Sequence, residues 1–142
     1  MANINLGIDA DVIGGPHITV SRSQSVEAYD KISVVINVGD TDKVVDIQPG
    51  NADKVSLLMI TSNLYSNVSY KASNGTTDSA LITLNEPHLY FGSGMMSLFT
   101  VAPKSLKFTN SNTDPSKKAS TIEIDPSKKA SIEILIGRDA TP

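Results

Sequence analysis

Short stretches of period-two alternation, each closed by a cluster of turn-forming residues, constrain this chain more than any other feature. Lys31 to Val38 is the clearest case. Ile32, Val34, Ile36 and Val38 fall on one face, and Val35 on the other implies that this second face is partly covered too. Gly39-Asp40-Thr41-Asp42 then turns the chain, Val44 to Ile47 forms the return strand, and Pro49-Gly50-Asn51 breaks it. Val55-Ser-Leu-Leu-Met-Ile60 is apolar on both faces, as a central strand of a packed sandwich should be; a short buried helix is the alternative that period alone leaves open. Val68 and Tyr70 alternate next, and Asn74-Gly75 supplies a turn whose positive φ glycine meets without steric cost.

The remaining pieces are shorter. Met1 to Gly15 is small and acidic and reads as an arm with one short strand around Ile4 to Ile8, closed by Gly14-Gly15-Pro16. His17 to Ser21 is a strand, and a turn of helix is allowed only in Ser23 to Tyr29. Ser79 to Leu84 returns from the Asn74-Gly75 turn. Asn85 to Met96, broken by Pro87, Gly92 and Gly94, reads as irregular around the apolar run His88-Leu-Tyr-Phe91, and is expected to reach away from the core. Ser97 to Val101 and Ser105 to Thr109 are two further strands. About ten short strands result, the pattern of an all-β chain folded as an antiparallel β-sandwich or jelly roll. Residues 1–16 form the N-terminal arm and 17–142 a single β-sandwich domain, in keeping with a length of 142 residues.

An internal repeat lies within that domain. Residues 114–124 (Asp-Pro-Ser-Lys-Lys-Ala-Ser-Thr-Ile-Glu-Ile) are followed at once by 125–134, which differ only in lacking Thr121. Each copy joins a Lys-rich turn to a strand-forming half. One arrangement is a meander: Ile122 opposite Ile132 and Ile124 opposite Ala130 across one loop, with Phe108 opposite Ile124 across the other. The rival arrangement leaves the extra copy as an extended loop while Ile132, Ile134 and Ile136 form the terminal strand, at little entropic cost.

The chemical inventory argues against catalysis. His17 and His88 stand in unrelated contexts with no metal-ligand spacing, and no Gly-x-Ser-x-Gly elbow is present. Gly92-Ser-Gly94 lacks the third glycine of a dinucleotide fingerprint. Asp40, Asp42 and Asp46, or Asp9 and Asp11, do not fit a calcium loop and read as solvated turn carboxylates. No catalytic residue, cofactor-binding residue or metal ligand is therefore assigned, and the chain is read as not an enzyme. A net charge of -3, with 5 Lys/Arg against 10 Asp/Glu up to Pro103 and 7 against 5 beyond, is too mild for nucleic acid. Absence of cysteine excludes disulfides, and the N-terminus carries neither a basic region nor a long apolar stretch, so no signal peptide or membrane anchor is expected.

What is left is interaction. Tyr90 and Phe91, beside His88, are the best candidates for an anchor at an oligomer contact, with aromatic core positions as the alternative. Lys117-Lys118 and Lys128-Lys129 form two basic loop tips; partner contact is one role for them, solubility and edge protection the other.

The order of Leu57-Leu-Met-Ile-Thr-Ser62, the polar hairpin through Tyr70 and Asn74-Gly75, Leu81-Ile-Thr-Leu84 running into Pro87, and Ile132-Glu-Ile-Leu-Ile-Gly-Arg-Asp139 resembles the small β-sandwich structural proteins of tailed bacteriophages, especially capsid decoration or cement proteins. The Asp-Pro-Ser-Lys-Lys duplication departs from that pattern. The resemblance implies a homo-oligomeric virion protein, assembled in the host cytoplasm, that binds the major capsid protein or another virion protein and stiffens the shell without chemistry. A tail or head-tail connector component, or a carbohydrate-binding β-sandwich module, are the alternatives.

Overall fold

Alternating Ile and Val residues dictate the core, and the strands follow that alternation closely. The computed structural model describes residues 1–47, 54–96, 98–101, 103–112 and 128–139. In chain order the strands are β1 (Ala2–Asp11), β2 (His17–Val26), β3 (Ala28–Ile36), β4 (Lys43–Asp46), β5 (Val55–Ser62), β6 (Val68–Ser73), β7 (Ile82–Thr83) and β8 (His88–Phe91). A single helical turn, α1 (Ser93–Met96), precedes β9 (Ser105–Asn110) and β10 (Ala130–Arg138).

Eight strands build two four-stranded antiparallel sheets, which we call front (β3-β10-β5-β8) and rear (β4-β9-β6-β7). Ile36, Ile60, Ile132, Ile134 and Ile136 of the front sheet meet Tyr70, Ala72, Leu106 and Phe108 of the rear sheet in one core, every one of them 0 or 1% exposed. Full burial of each such aliphatic side chain contributes about 1.5–3 kcal/mol. From β3 onward every connection crosses between the sheets except the one joining β6 to β7. The result is the double-sheet jelly roll.

That connectivity excludes the meander expected around the repeat. Ile132 pairs with Val34 on one side and Ser62 on the other, and Phe108 with Lys43 and Tyr70, so β9 and β10 have both edges occupied by other strands. They lie in opposite sheets and face each other through the core. Ile122 and Ile124, the partners assigned to them, lie outside the described residues.

Three local expectations also change. Ser23 to Tyr29, allowed a helical turn, is strand throughout except at Glu27, because β2 runs almost directly into β3. His88 to Phe91, expected in an irregular excursion, is the edge strand β8, paired with β5 from Ile60↔His88 to Leu57↔Phe91. Ser97 to Val101, expected as a strand, has no strand over 98–101, although Phe99 is buried. The Asn74-Gly75 turn forms as expected: Gly75 has φ 96°, and the Asn74 side-chain oxygen accepts from the amides of Thr76 at 2.9 Å and Thr77 at 2.7 Å.

β1 and β2 stand apart from both sheets as a two-stranded ribbon paired from Ala2↔Val26 to Asp11↔His17. Its base is seated where Gly137 approaches it. A Cβ on Gly137 would fall 2.9 Å from Ile4 Cδ1 and 3.0 Å from Val26 Cγ1, so only glycine leaves room for this packing.

Candidate functional site

Strand alternation puts His88 and Tyr90 on the inner face of β8 and Leu89 and Phe91 on its outer face. Both inner residues reach across the sandwich to Tyr70 of β6: the Tyr70 hydroxyl lies 2.7 Å from His88 Nδ1 and 2.9 Å from the Tyr90 hydroxyl. The rings of Phe108 and Phe99 pack against this group, with centroids 5.6 Å from Tyr70 and 4.7 Å from Tyr90. Burial, reinforced by Tyr90, pushes the Tyr70 phenol well above its ordinary range, and burial holds His88 below the usual imidazole value. Either tautomer of His88 fits this geometry: with Nδ1 bare, Tyr90 donates to Tyr70 and Tyr70 donates to Nδ1; with Nδ1 protonated, the imidazole donates to Tyr70 and Tyr70 donates to Tyr90. The Tyr70 hydroxyl thereby makes two hydrogen bonds between the sheets. The group braces front to rear, and two of the residues selected as partner contacts spend their polar atoms inside the protein.

Phe91 is the member of the trio that faces outward. By cross-strand register, Leu89, Met59 and Leu135 form a row across the outer face of the front sheet, with Phe91 and Leu57 in the row beside it. Leu89, Phe91, Met59 and Leu135 are each only half-buried. A hollow of about 230 Å³ opens here, lined by Met59, Thr61 and Leu135 and flanked by Lys31 and Glu133. Those two charges pair at 3.5 Å. Tyr29 and Val35 extend the apolar surface along β3, at 57 and 43% exposure. The rear sheet's outer face differs: Lys71 pairs with Asp42 at 3.3 Å, and Lys107 with Asp78 at 2.9 Å. Among the described residues of the rear outer face, Val44 beside Lys107 is apolar and 56% exposed, while the front face carries the longer apolar row.

The basic residues divide. Lys117 and Lys118 lie outside the described residues. Lys128 and Lys129 lead into β10 and are half-buried, and the Lys128 carbonyl accepts from the Asn110 side-chain amide at 2.8 Å. Asn110 is fully buried and also donates to the Ile36 carbonyl at 3.1 Å; its own side-chain oxygen accepts from Asn112. No property of the sequence around Asn110 distinguishes it from the surface asparagines, which is why it was missed.

The carboxylates weighed for calcium are dispersed. Asp40 accepts from the Asn37 amide at 2.8 Å, Asp42 faces Lys71, and Asp46 borders a separate hollow of about 400 Å³ with Asp30 and Lys104. Asp9 and Asp11 flank His17 on the ribbon, at 2.6 and 3.7 Å. A scan against family models, a search of curated proteins and a search of solved structures each returned no match.

Proposed function

We propose that this chain is a virion structural protein that decorates an assembled bacteriophage shell, binding the major capsid protein through the outer face of its front sheet. The observation that carries this reading is the apolar row Leu89, Met59 and Leu135 with Phe91 beside it, left half-open on one face of a jelly roll whose other outer face carries the pairs Lys71–Asp42 and Lys107–Asp78 beside Val44. Jelly rolls recur in viral capsid and lectin domains, so the architecture is compatible with the reading without selecting it.

Binding of this kind works by mass action. A shell that presents the complementary surface only when assembled is stabilised by whatever binds that surface, in proportion to occupancy. The apolar row supplies burial, and Lys31 with Glu133 at its rim supplies orientation rather than affinity.

The test is co-sedimentation with particles of the virus that encodes the chain. The chain is expected to sediment with assembled shells and not with dissociated subunits, and Leu135→Glu or Phe91→Glu should abolish the association while leaving the sandwich folded. Equal binding to dissociated subunits, or shells whose heat resistance is the same with and without the chain, would sink the reading. Copy number and symmetry in an electron-microscopy map separate a shell position from a tail or connector position. Binding on a glycan array would point to the carbohydrate module instead.

A further inference from the structure

The outer edge of a sheet exposes backbone donors and acceptors that invite another strand, and folded proteins close such edges in recognisable ways. Among the described residues, β4, β7 and β8 are edges of only two to four residues. β3 is longer, and Lys43 Nζ donates to its Val35 carbonyl at 2.8 Å. The ribbon adds two more long edges. Val12 donates its amide to the Pro16 carbonyl at 3.0 Å, and the register runs unbroken from there to Ala2↔Val26. Even-numbered residues therefore turn their backbone groups inward, and odd-numbered residues turn theirs outward. On β2 the outward carbonyls of Ser21 and Ser25 accept from Arg22 at 2.9 Å and Gln24 at 3.2 Å. On β1 the outward backbone groups of Asn3, Asn5, Gly7, Asp9 and Asp11 have no partner among the described residues, and the strand holds no proline, lysine or bulge.

We infer that the β1 edge pairs with the β1 edge of a second copy of this chain, antiparallel about a two-fold axis at Gly7. The sequence of β1 selects both occupant and register, because it reads as its own complement about that glycine. Outward groups must meet outward groups, so odd residues oppose odd ones: Asn3 lies opposite Asp11, and Asn5 opposite Asp9, of the second copy. Each carboxylate then faces a neutral amide on the same polar face. Asp9 engages His17 and Thr19 through Oδ1, and its Oδ2 has no partner among the described residues, so an acceptor remains for Asn5. On the other face Leu6 meets Ile8 and Ile4 meets Ala10, apolar against apolar throughout. A parallel pair in register would instead set Asp9 against Asp9 and Asp11 against Asp11. Sliding by two residues sets Asp11 against Met1 and removes its amide.

Two ribbons, each marginal as an isolated pair of strands, become one four-stranded sheet in the order β2-β1-β1-β2. Backbone hydrogen bonds along the shared edge supply the affinity, and the side-chain pairs fix the register. The contact is a single strand pair, so the dimer is reversible and forms at high protein concentration, or wherever copies are held side by side on a common surface. It rests on the β1 edge alone and is independent of the shell-binding reading, which concerns the front sheet.

Sedimentation equilibrium should show a reversible dimer. As the chain is concentrated, the outward amides of Asn5, Gly7 and Asp9 should gain protection from hydrogen exchange, while that of Ser21 on the β2 edge should not. Asn5→Pro removes an outward N–H that the hairpin does not use, so it should abolish the dimer while the inward amides of Leu6 and Ile8 stay protected. Asn5→Asp, which sets a carboxylate against Asp9, should weaken the dimer several-fold, and Asn5→Lys should not. The chain contains no cysteine, so Leu6→Cys mixed with Ile8→Cys should oxidise to the mixed disulfide faster than either variant alone. Three results would overturn the inference: a chain that stays monomeric up to about 1 mM, where even millimolar dissociation constants register; a dimer that neither Asn5→Pro nor Asn5→Asp weakens, which would place the contact elsewhere on the molecule; or Leu6→Cys linking to itself in preference to Ile8→Cys, which would exclude the axis at Gly7.

Discussion

The side-chain amide of Asn110, at the end of β9 in the rear sheet, donates to the carbonyl of Lys128, at the entry to β10 in the front sheet, at 2.8 Å. These two residues stand on either side of 113–127, the segment that holds the whole first copy of the repeat and the first three residues of the second. The two ends of that segment are thus held together by a partly buried hydrogen bond, whatever its length. The strand half of the second copy is β10 itself.

Deletion of residues 114–124 should therefore leave the sandwich intact. Shortening the connection from fifteen residues to four reduces its closure entropy by about 1 kcal/mol, so the deletion is expected to raise the urea midpoint slightly. Loss of cooperative unfolding would show that the first copy is needed for the fold.

Tyr70→Phe should be costly for one oxygen atom. It leaves Nδ1 of His88 and the hydroxyl of Tyr90 without that partner on the inner side of β8; because both residues are half-buried, the loss falls toward the low end of the about 1–3 kcal/mol that an unpaired buried polar group costs. Tyr90→Phe should cost less, because Tyr70 retains its bond to His88. Denaturant titrations of both variants and of Tyr70→Phe with His88→Phe check this, and the double variant should be less damaging than the sum of its parts.

Acid should loosen the same brace. Burial lowers the folded-state value of His88 below the ordinary imidazole value of about 6.5. The unfolded chain then binds the proton more readily, so stability is complete above that ordinary value and declines as pH falls toward the lower folded value. Thermal midpoints measured from pH 7.5 to 5 should drop in the native chain and drop less in His88→Asn. Equal slopes would remove His88 as the titrating group.

Gly137→Ala adds a methyl group where Ile4 and Val26 already close the space. Overpacking of this kind costs about 1–3 kcal/mol, and here the ribbon base is the part that can yield. Hydrogen exchange should accelerate in β1 and β2 while the amides of β5, β9 and β10 stay protected.

Strand positions were legible in the sequence wherever alternation was clean, as in Ile32 to Ile36, Val68 to Tyr70 and Ile132 to Ile136. The pairing was not. Loop length and cross-strand logic assume that neighbours in sequence are neighbours in a sheet, and beyond β3 that holds only for β6 and β7. Leu106, Phe108 and Ile132 were correctly placed against one apolar interior, yet as strands of one sheet instead of two that face each other. His88 and Tyr90 were singled out by composition alone; their engagement with Tyr70, 18 and 20 residues earlier, depends on β6 and β8 lying in opposite sheets. The ribbon was foreseen as two short strands, Ile4 to Ile8 and His17 to Ser21, but not at its full length, because Asn, Gly and Asp on its polar face lower the local β-propensity that its register overrides.

β10 sits between β3 and β5, and neither of those strands pairs with the other. During synthesis, about a hundred residues separate the emergence of β3 from that of the strand that joins it to its sheet. The rear sheet can assemble from β4, β6, β7 and β9 before then; the front sheet has to wait. For that interval the isoleucines of β3 have no strand beside them and β5 has β8 along one edge alone, and closure must bring together segments far apart in the chain, a route associated with folding in milliseconds to seconds. The window in which the chain is open to chaperones, or to mispairing with another nascent copy, is set by the arrival of Ala130 to Arg138.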